Sequence, residues 1–149
     1  MTVGVGAGSK YIHSLLDNHP EVYAIPGYPL MYFYPHYDNI FSDNKKTVSE
    51  KIDRLVSVLP SLYDPSILPG SESLETIRLA NGNRPFCTKE IFCEITISCL
   101  KSTKSADVLL AIIKAHKRIF SIDSNNNDEQ KFLFHIHDDH HLKRFVRDF

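Results

Sequence analysis

The spacing of apolar residues along the chain predicts a protein built mainly from helices. Apolar positions recur every three or four residues in five segments, which is the pattern of a helix with one buried face. The segments are residues 10–17, 47–59, 88–100, 105–120 and 140–149. Thr47 and Glu50 have the spacing of a capping box, so the second helix should begin at Thr47. Ser102, Thr103 and Ser105 are alternative N-caps for the fourth helix.

Three short segments predict strands, and one segment predicts irregular structure. The strand segments are "MTVGVG" (residues 1–6), "EVYAIP" (21–26) and "KFLFHIH" (131–137). Between the first two helices, "GYPLMYFYPHYDNIF" is so rich in proline and aromatic residues that it predicts an irregular wall with short turns. Its rings, at Tyr28, Tyr32, Phe33, Tyr34 and Tyr37, either pack on the core, which is the favoured interpretation, or line an acceptor pocket.

Composition narrows the class of protein. The 149 residues, 42% of them hydrophobic and 23% charged, suit a single domain over residues 1–149. The net charge of -1 gives no electrostatic footprint for nucleic acid, so no nucleic-acid partner is expected. No apolar run reaches the roughly 18 residues of a membrane span, and no signal sequence is recognisable, which favours the cytoplasm. Cys87, Cys93 and Cys99 are expected to be free thiols.

The opening stretch "VGVGAGSK" has the composition of a phosphate-binding loop. Gly4, Gly6 and Gly8 alternate after a strand, and Ser9 and Lys10 follow where a helix begins. Backbone N–H groups and the helix dipole would favour an anion there, while Ser9 adds a hydroxyl donor and Lys10 a positive charge. The spacing matches neither GxxxxGK[ST] nor GxGxxG. A tight turn between a strand and a helix is therefore the alternative interpretation.

The residues after this loop resemble the sulfotransferase family. In "GSKYIHSLLDNHPEVYAIPG" (residues 8–27) the motif residues follow in the family's order without a gap: Leu15, Leu16, Asp17, His19, Pro20 and Glu21. Weaker similarity extends to "YDPSILPGSESL" and "LLAIIKAHKRIF", which resemble the helical insert of bacterial members. The segment "HHLKRFVRDF" is similar to the helix before a later family motif.

This resemblance implies a fold, a reaction and a donor. The fold would be α/β: a P-loop-type three-layer arrangement with a parallel sheet, incomplete within this chain and mostly helical. The reaction would transfer a sulfuryl group from 3′-phosphoadenosine 5′-phosphosulfate (PAPS), without a metal, to a hydroxyl or amine of a small molecule, glycan, lipid or peptide. The residues that would bind PAPS are Gly6, Ala7, Gly8, Ser9 and Lys10. The catalytic base is unassigned, with His36 the only candidate near the first helix.

The chain also departs from the family's pattern. Gly6 and Ala7 stand where members usually carry a basic residue and a serine, and Lys10 replaces a threonine. The motif that binds the 3′-phosphate is not found, so the chain is expected to be the N-terminal portion of a sulfotransferase-like domain. It should then be a poor enzyme alone. These departures also favour a second hypothesis, a non-catalytic nucleotide-binding module.

A third hypothesis comes from "HIHDDHH" near the end of the chain. His135, His137, Asp139 and His140 spell HxHxDH, which resembles the metal-binding motif of the metallo-β-lactamase superfamily. Imidazole and carboxylate groups at this spacing can bind zinc and activate water for hydrolysis. Only nine residues follow His140, which is too few for the further ligands of that fold. The favoured interpretation is a polar loop in which Asp138 or Asp139 caps the last helix.

Overall fold

The computed structural model describes residues 16, 21–25, 29–64, 87–120, 131–133 and 139–149. Within them, 71% of residues are helical, and a small two-stranded parallel sheet provides the β-structure. The coarse prediction of a mostly helical protein with parallel strands is therefore confirmed. The described residues leave the three-layer P-loop arrangement untested.

Five helices and two strands can be bounded in these residues. In chain order they are β1 (Val22–Ala24), α1 (Phe33–Phe41), α2 (Val48–Ser57), α3 (Lys89–Cys99), α4 (Ser105–Phe120), β2 (Lys131–Leu133) and α5 (Asp139–Asp148). Two 3-10 turns, Pro29–Tyr32 and Pro60–Leu62, precede α1 and follow α2. Helices α1 to α4 all lie in the connection between the two strands.

The two strands pair in parallel with a defined register. Val22 is opposite Lys131, Tyr23 opposite Phe132 and Ala24 opposite Leu133. Parallel neighbours need a long crossover, and here the helices between residues 33 and 120 supply it. Both segments were predicted as strands, and these predictions are confirmed for the residues described. The predicted strand over residues 1–6 lies outside the described residues.

Helix α1 contradicts the prediction of an irregular aromatic wall. Residues 33–41 form a regular helix, entered through the 3-10 turn at Pro29–Tyr32. Pro35 is the third residue of α1, where the backbone N–H would have no partner within the helix, so proline is tolerated. The expectation that the rings pack on the core is confirmed for Phe33 and Tyr34, which are buried. Tyr32 is 56% exposed, and Tyr28 lies outside the described residues.

Side-chain caps explain where α2 and α3 begin. Thr47 accepts a hydrogen bond from the backbone N–H of Glu50, and the Glu50 carboxylate accepts one from the backbone N–H of Thr47. This is the predicted capping box. Thr88 caps α3 by accepting from the N–H of Ile91 at 3.3 Å. Helix α4 starts at Ser105, and because the N-cap precedes the first helical residue, Ser105 is not the N-cap; its hydroxyl donates to Asp148.

The core is formed where α2, α3 and α4 pack together, with α1 closing one side. The largest fully buried side chains are Tyr34, Phe33, Phe92, Ile52, Leu55, Leu62, Leu109 and Ile112. The apolar spacing of the predicted helices includes Val48, Ile91 and Val146, but these residues are exposed, at 39%, 49% and 67%. For α3 that spacing predicts a buried face at Ile91, Phe92, Ile95 and Cys99, whereas the buried residues are Phe92, Cys93 and Thr96. No helix in the described part is long and apolar enough to cross a membrane.

Removing the cap of α2 should destabilise the protein. In the Thr47→Ala variant both the hydroxyl acceptor and the capping box are lost, so the free energy of unfolding should fall by about 1 kcal/mol. Urea denaturation followed by circular dichroism measures this. Ser49→Ala is the matched control, because Ser49 is exposed in the same first turn and alanine favours helix. Equal losses in both variants would contradict the role of the cap.

Candidate functional site

The predicted PAPS-binding loop lies outside the described residues. Gly6, Ala7, Gly8, Ser9 and Lys10 therefore stay predictions, and so does the loop geometry. Leu16 is described and is helical, which agrees with the helix predicted over residues 10–17. Four residues separate that segment from β1, so the helix and the strand follow in the predicted order.

The parallel pair defines one edge at which ligands are expected. Strands β1 and β2 run in the same direction, so their carboxyl ends, at Ala24 and Leu133, lie at the same edge of the sheet. In open α/β proteins, ligands bind outside the carboxyl ends of such strands. From this edge the chain leads to α1 after β1 and to α5 after β2. The contacts between α1 and α5 therefore show how the two segments leaving the edge are joined.

Arg144 of α5 joins these two segments. Its Nη1 donates hydrogen bonds to both carboxylate oxygens of Asp38 on α1, at 2.7 and 2.6 Å. Its guanidinium also lies over the rings of Tyr34 and Tyr37, 4.7 and 5.5 Å from their centroids. The arginine is thus held by a salt bridge and two cation–π contacts at once. We call Tyr34, Tyr37, Asp38, Ser105, Arg144 and Asp148 the joint cluster.

Asp148 completes the joint cluster from the last turn of α5. Its Oδ2 accepts from the hydroxyl of Ser105 at 2.5 Å and from that of Tyr34 at 3.4 Å. The Arg144 Nε lies 4.0 Å from the same oxygen and is buried without a closer acceptor among the described residues. The side chains of Arg144 and Asp148 are only 19% and 14% exposed. Asp148 therefore ties α5 to the first residue of α4.

The raised pKa values of the two tyrosines in the joint cluster suit a structural role. Burial, followed by the negative charge of Asp148, raises the pKa of Tyr34 well above its ordinary value of 10.0. Burial likewise raises the pKa of Tyr37. Both phenols therefore stay neutral at physiological pH, which makes them poor general bases. Sequence reasoning missed this cluster, since the only local signal was the "KRFVRD" charge pattern of α5.

A second polar pair fixes β1 against α4. The hydroxyl of Tyr23 and Nδ1 of His116 are hydrogen-bonded at 2.7 Å, although 93 positions separate them. His116 is 3% exposed and packs edge-on against Phe92 and at 4.7 Å from Phe120. A buried imidazole with such partners orients its neighbours.

Neither Cys87 nor Cys93 provides an activated nucleophile. The three cysteines are free, as predicted. Burial raises the pKa of Cys87, and burial together with the charge of Asp53 raises the pKa of Cys93 to about 11. The thiolate is the nucleophilic form, so these two groups are inert at neutral pH.

The proposed zinc motif is only partly described. Helix α5 begins at Asp139, one residue before the predicted start at His140, so Asp139 is the first helical residue and not the N-cap, while Asp138 lies outside the described residues. His135, His137 and the side chain of Asp139 lie outside the described residues, so the HxHxDH hypothesis stays a prediction. His140 is exposed, and its ring is 5.7 Å from that of His141, which stacks on Tyr34. In the described part of the chain, no group of three His, Cys, Asp or Glu is arranged to hold a metal ion.

His36 lines a pocket between α1 and α2. The pocket has a volume of about 300 Å³ and is formed by His36, Asn39, Ile40, Arg54, Ser57 and Val58. The sequence offered His36 as the nearest candidate base, but gave no reason to join it with Arg54 eighteen positions later. The structure brings these two basic side chains to one concave surface. This pocket and the joint cluster are the polar groupings on the two sides of α1.

Comparison with protein-family models, curated proteins and solved structures finds no match to this chain.

Breaking the joint cluster should loosen α5. In the Arg144→Ala variant, Asp148 keeps its burial and loses the positive charge of Arg144, which leaves it with the more exposed Arg147 at 3.8 Å, and two aromatic contacts are lost. The free energy of unfolding should fall by about 2 kcal/mol, less than for a fully buried pair because Asp38 is half exposed. Chemical denaturation measures the change. Lys143→Ala is the control on the same helix, because Lys143 is exposed, whereas Arg147 lies 3.8 Å from Asp148. A loss as large in the control would refute the role of Arg144.

The raised pKa of Tyr34 should make stability fall at high pH. A raised folded-state pKa contributes stability that is complete below the unfolded value of 10.0 and is lost as pH rises beyond it. Between pH about 9 and about 11, the free energy of unfolding should therefore fall less steeply in Tyr34→Phe than in the unmodified protein. Tyr32→Phe, which changes a 56% exposed ring, should keep the original slope. Identical slopes in all three proteins would show that Tyr34 ionises normally.

Proposed function

We propose that this protein binds the phosphosulfate end of PAPS through Gly6–Lys10 and transfers the sulfuryl group to a hydroxyl or amine acceptor. The observation that carries the proposal is the resemblance of residues 8–27 to the sulfotransferase loop, helix and strand, in which six motif residues, Leu15, Leu16, Asp17, His19, Pro20 and Glu21, follow in the family's order without a gap. Two structural features support it. Leu16 is helical, and residues 22–24 form a strand in a parallel sheet, as that family's order requires.

The parallel pair also supports the expected position of the donor. A phosphate loop follows the carboxyl end of a parallel strand, at the same edge where its neighbours end. On this proposal, the strand over residues 1–6 runs parallel to β1 and β2, and the loop opens at the edge that α1 and α5 border. The salt bridge between Arg144 and Asp38 would then hold one wall of the site in place.

Charge development explains the proposed roles of the loop residues. During in-line transfer, negative charge grows on the oxygen that bridges the leaving nucleotide and the sulfuryl group. The N–H groups of Gly8 and Ser9, the Ser9 hydroxyl and the Lys10 ammonium would stabilise this charge. A base would accept the acceptor's proton as the new S–O or S–N bond forms. The proposal assigns no residue to this base and needs no metal.

Lys10 should dominate the binding of the nucleotide product. Isothermal titration with adenosine 3′,5′-bisphosphate should give saturable binding, and Lys10→Ala should weaken it by at least about tenfold because a charged hydrogen bond is lost. Lys45→Ala is the matched control, since Lys45 is an exposed lysine in the loop between α1 and α2. It should bind as the unmodified protein does.

The outcomes separate the proposal from its alternatives. Equal binding by Lys10→Ala, or none by a folded protein, would mean that Gly6–Lys10 is a structural turn. Binding together with transfer of sulfate from PAPS to a model phenol would support sulfotransferase activity. Binding without transfer, to any of a panel of hydroxyl and amine acceptors, would instead favour the non-catalytic nucleotide-binding module.

A further inference from the structure

Hydrogen-bond donors line the pocket between α1 and α2, and the described residues that line it include no carboxylate. His36 and Asn39 reach it from α1, Arg54 and Ser57 reach it from α2, and Ile40 and Val58 supply its apolar surface. His36 is half-buried, whereas Asn39 and Arg54 are exposed and accessible to a ligand from water. Its volume of about 300 Å³ is far larger than the roughly 30 Å³ share of one water molecule. The pocket therefore has room for a small organic anion.

Arg54 has no anionic partner among the described residues, because the nearby carboxylates are already engaged. Glu50, one turn earlier on α2, is held by Thr47 in the capping box. Asp53 forms a salt bridge with Lys89 at 2.7 Å. Asp38, which follows His36 on α1, is bound by Arg144. The positive charge of Arg54 is therefore available to an anion that enters the pocket from solvent.

The chemistry of these donors suits a tetrahedral oxyanion. The guanidinium of Arg54 presents a planar fork of N–H groups that suits two oxygens of one phosphate or sulfate. His36 and Asn39, on the facing helix, can donate to the remaining oxygens. Ser57 contributes shape only, because its hydroxyl already donates to the carbonyl oxygen of Asp53 at 2.7 Å. A planar carboxylate has two oxygens, against the three terminal oxygens of a phosphate or sulfate monoester, and would use the two helices less completely.

We propose that the pocket between α1 and α2 binds the phosphate or sulfate group of a small monoester. The charged group lies between Arg54, His36 and Asn39, and the ester's carbon group lies against Ile40 and Val58. Val58 is 45% exposed, so covering it removes apolar surface from water, whereas Ile40 at 6% exposure contributes little further surface. This site is separate in sequence from Gly6–Lys10 and does not depend on the proposed transferase activity.

A titration followed by NMR tests the site directly. Phenyl phosphate added to the ¹⁵N-labelled protein should shift the amide signals of residues 36–58 with a dissociation constant on the order of 1 mM. Inorganic phosphate should shift the same signals but bind about threefold or more weakly, because it lacks the apolar group. Phenyl sulfate should resemble phenyl phosphate, and acetate should bind least. Equal binding of acetate and inorganic phosphate would overturn the choice of a tetrahedral anion.

Variants separate this site from other anion-binding groups. Arg54→Gln should weaken phenyl phosphate binding by about tenfold or more, and His36→Gln should weaken it less. Arg118→Gln removes an exposed arginine from α4 as the matched control and should leave binding unchanged. Lys10→Ala should also leave the shifts of residues 36–58 unchanged, so failure of the loop proposal would be distinguishable. Unchanged affinity in Arg54→Gln, or the absence of shifts in residues 36–58, would overturn the proposal.

Discussion

The contacts of Arg144 hold helix α5 against helix α1. Helix α5 has few apolar residues with which to dock, and Val146 faces water. One guanidinium nevertheless connects it to Asp38, across 106 positions of sequence, and to two aromatic rings of α1. A planar cation can satisfy a carboxylate in its plane and aromatic rings on its faces at the same time, which an ammonium group does less well. The arrangement of α1 and α5 beside the parallel strands depends on this residue.

The way in which the core is built explains why α5 needs the directional contacts of Arg144. Helices α2, α3 and α4 bury continuous apolar faces, and Tyr23 with His116 fixes β1 to α4. The hydrophobic effect is non-directional, so it gathers these helices without specifying how the final segment meets them. Directional contacts from Arg144 and Asp148 supply that specification. Burial of Asp148 beside Tyr34 is tolerated because the Ser105 hydroxyl and the arginine compensate for lost water.

Local signals in the sequence were sufficient for the elements that depend on neighbouring residues. The capping box at Thr47 and the helix over residues 105–120 were predicted to the residue, since both are set within a few positions. Helix α1 was missed because proline and aromatic density outweighed its apolar spacing, although Pro35 falls in the tolerant first turn. The buried face of α3 was predicted incorrectly, because its packing between α2 and α4, and not the apolar pattern alone, determines which residues are buried. The predicted loop at Gly6–Lys10 rests on the sequence alone.

Net charge was a poor guide to where anions would be attracted. The chain as a whole carries 17 basic and 18 acidic residues, which suggests an electrically neutral surface. Attraction at one point depends instead on which charges are already paired, because neighbouring opposite charges cancel within a few ångströms. Around α2, Asp38 and Asp53 are each paired with a cation, the Glu50 carboxylate accepts hydrogen bonds from Thr47, and Arg54 has no anionic partner among the described residues. The proposed anion site rests on this unequal pairing of charges, which only the three-dimensional contacts reveal.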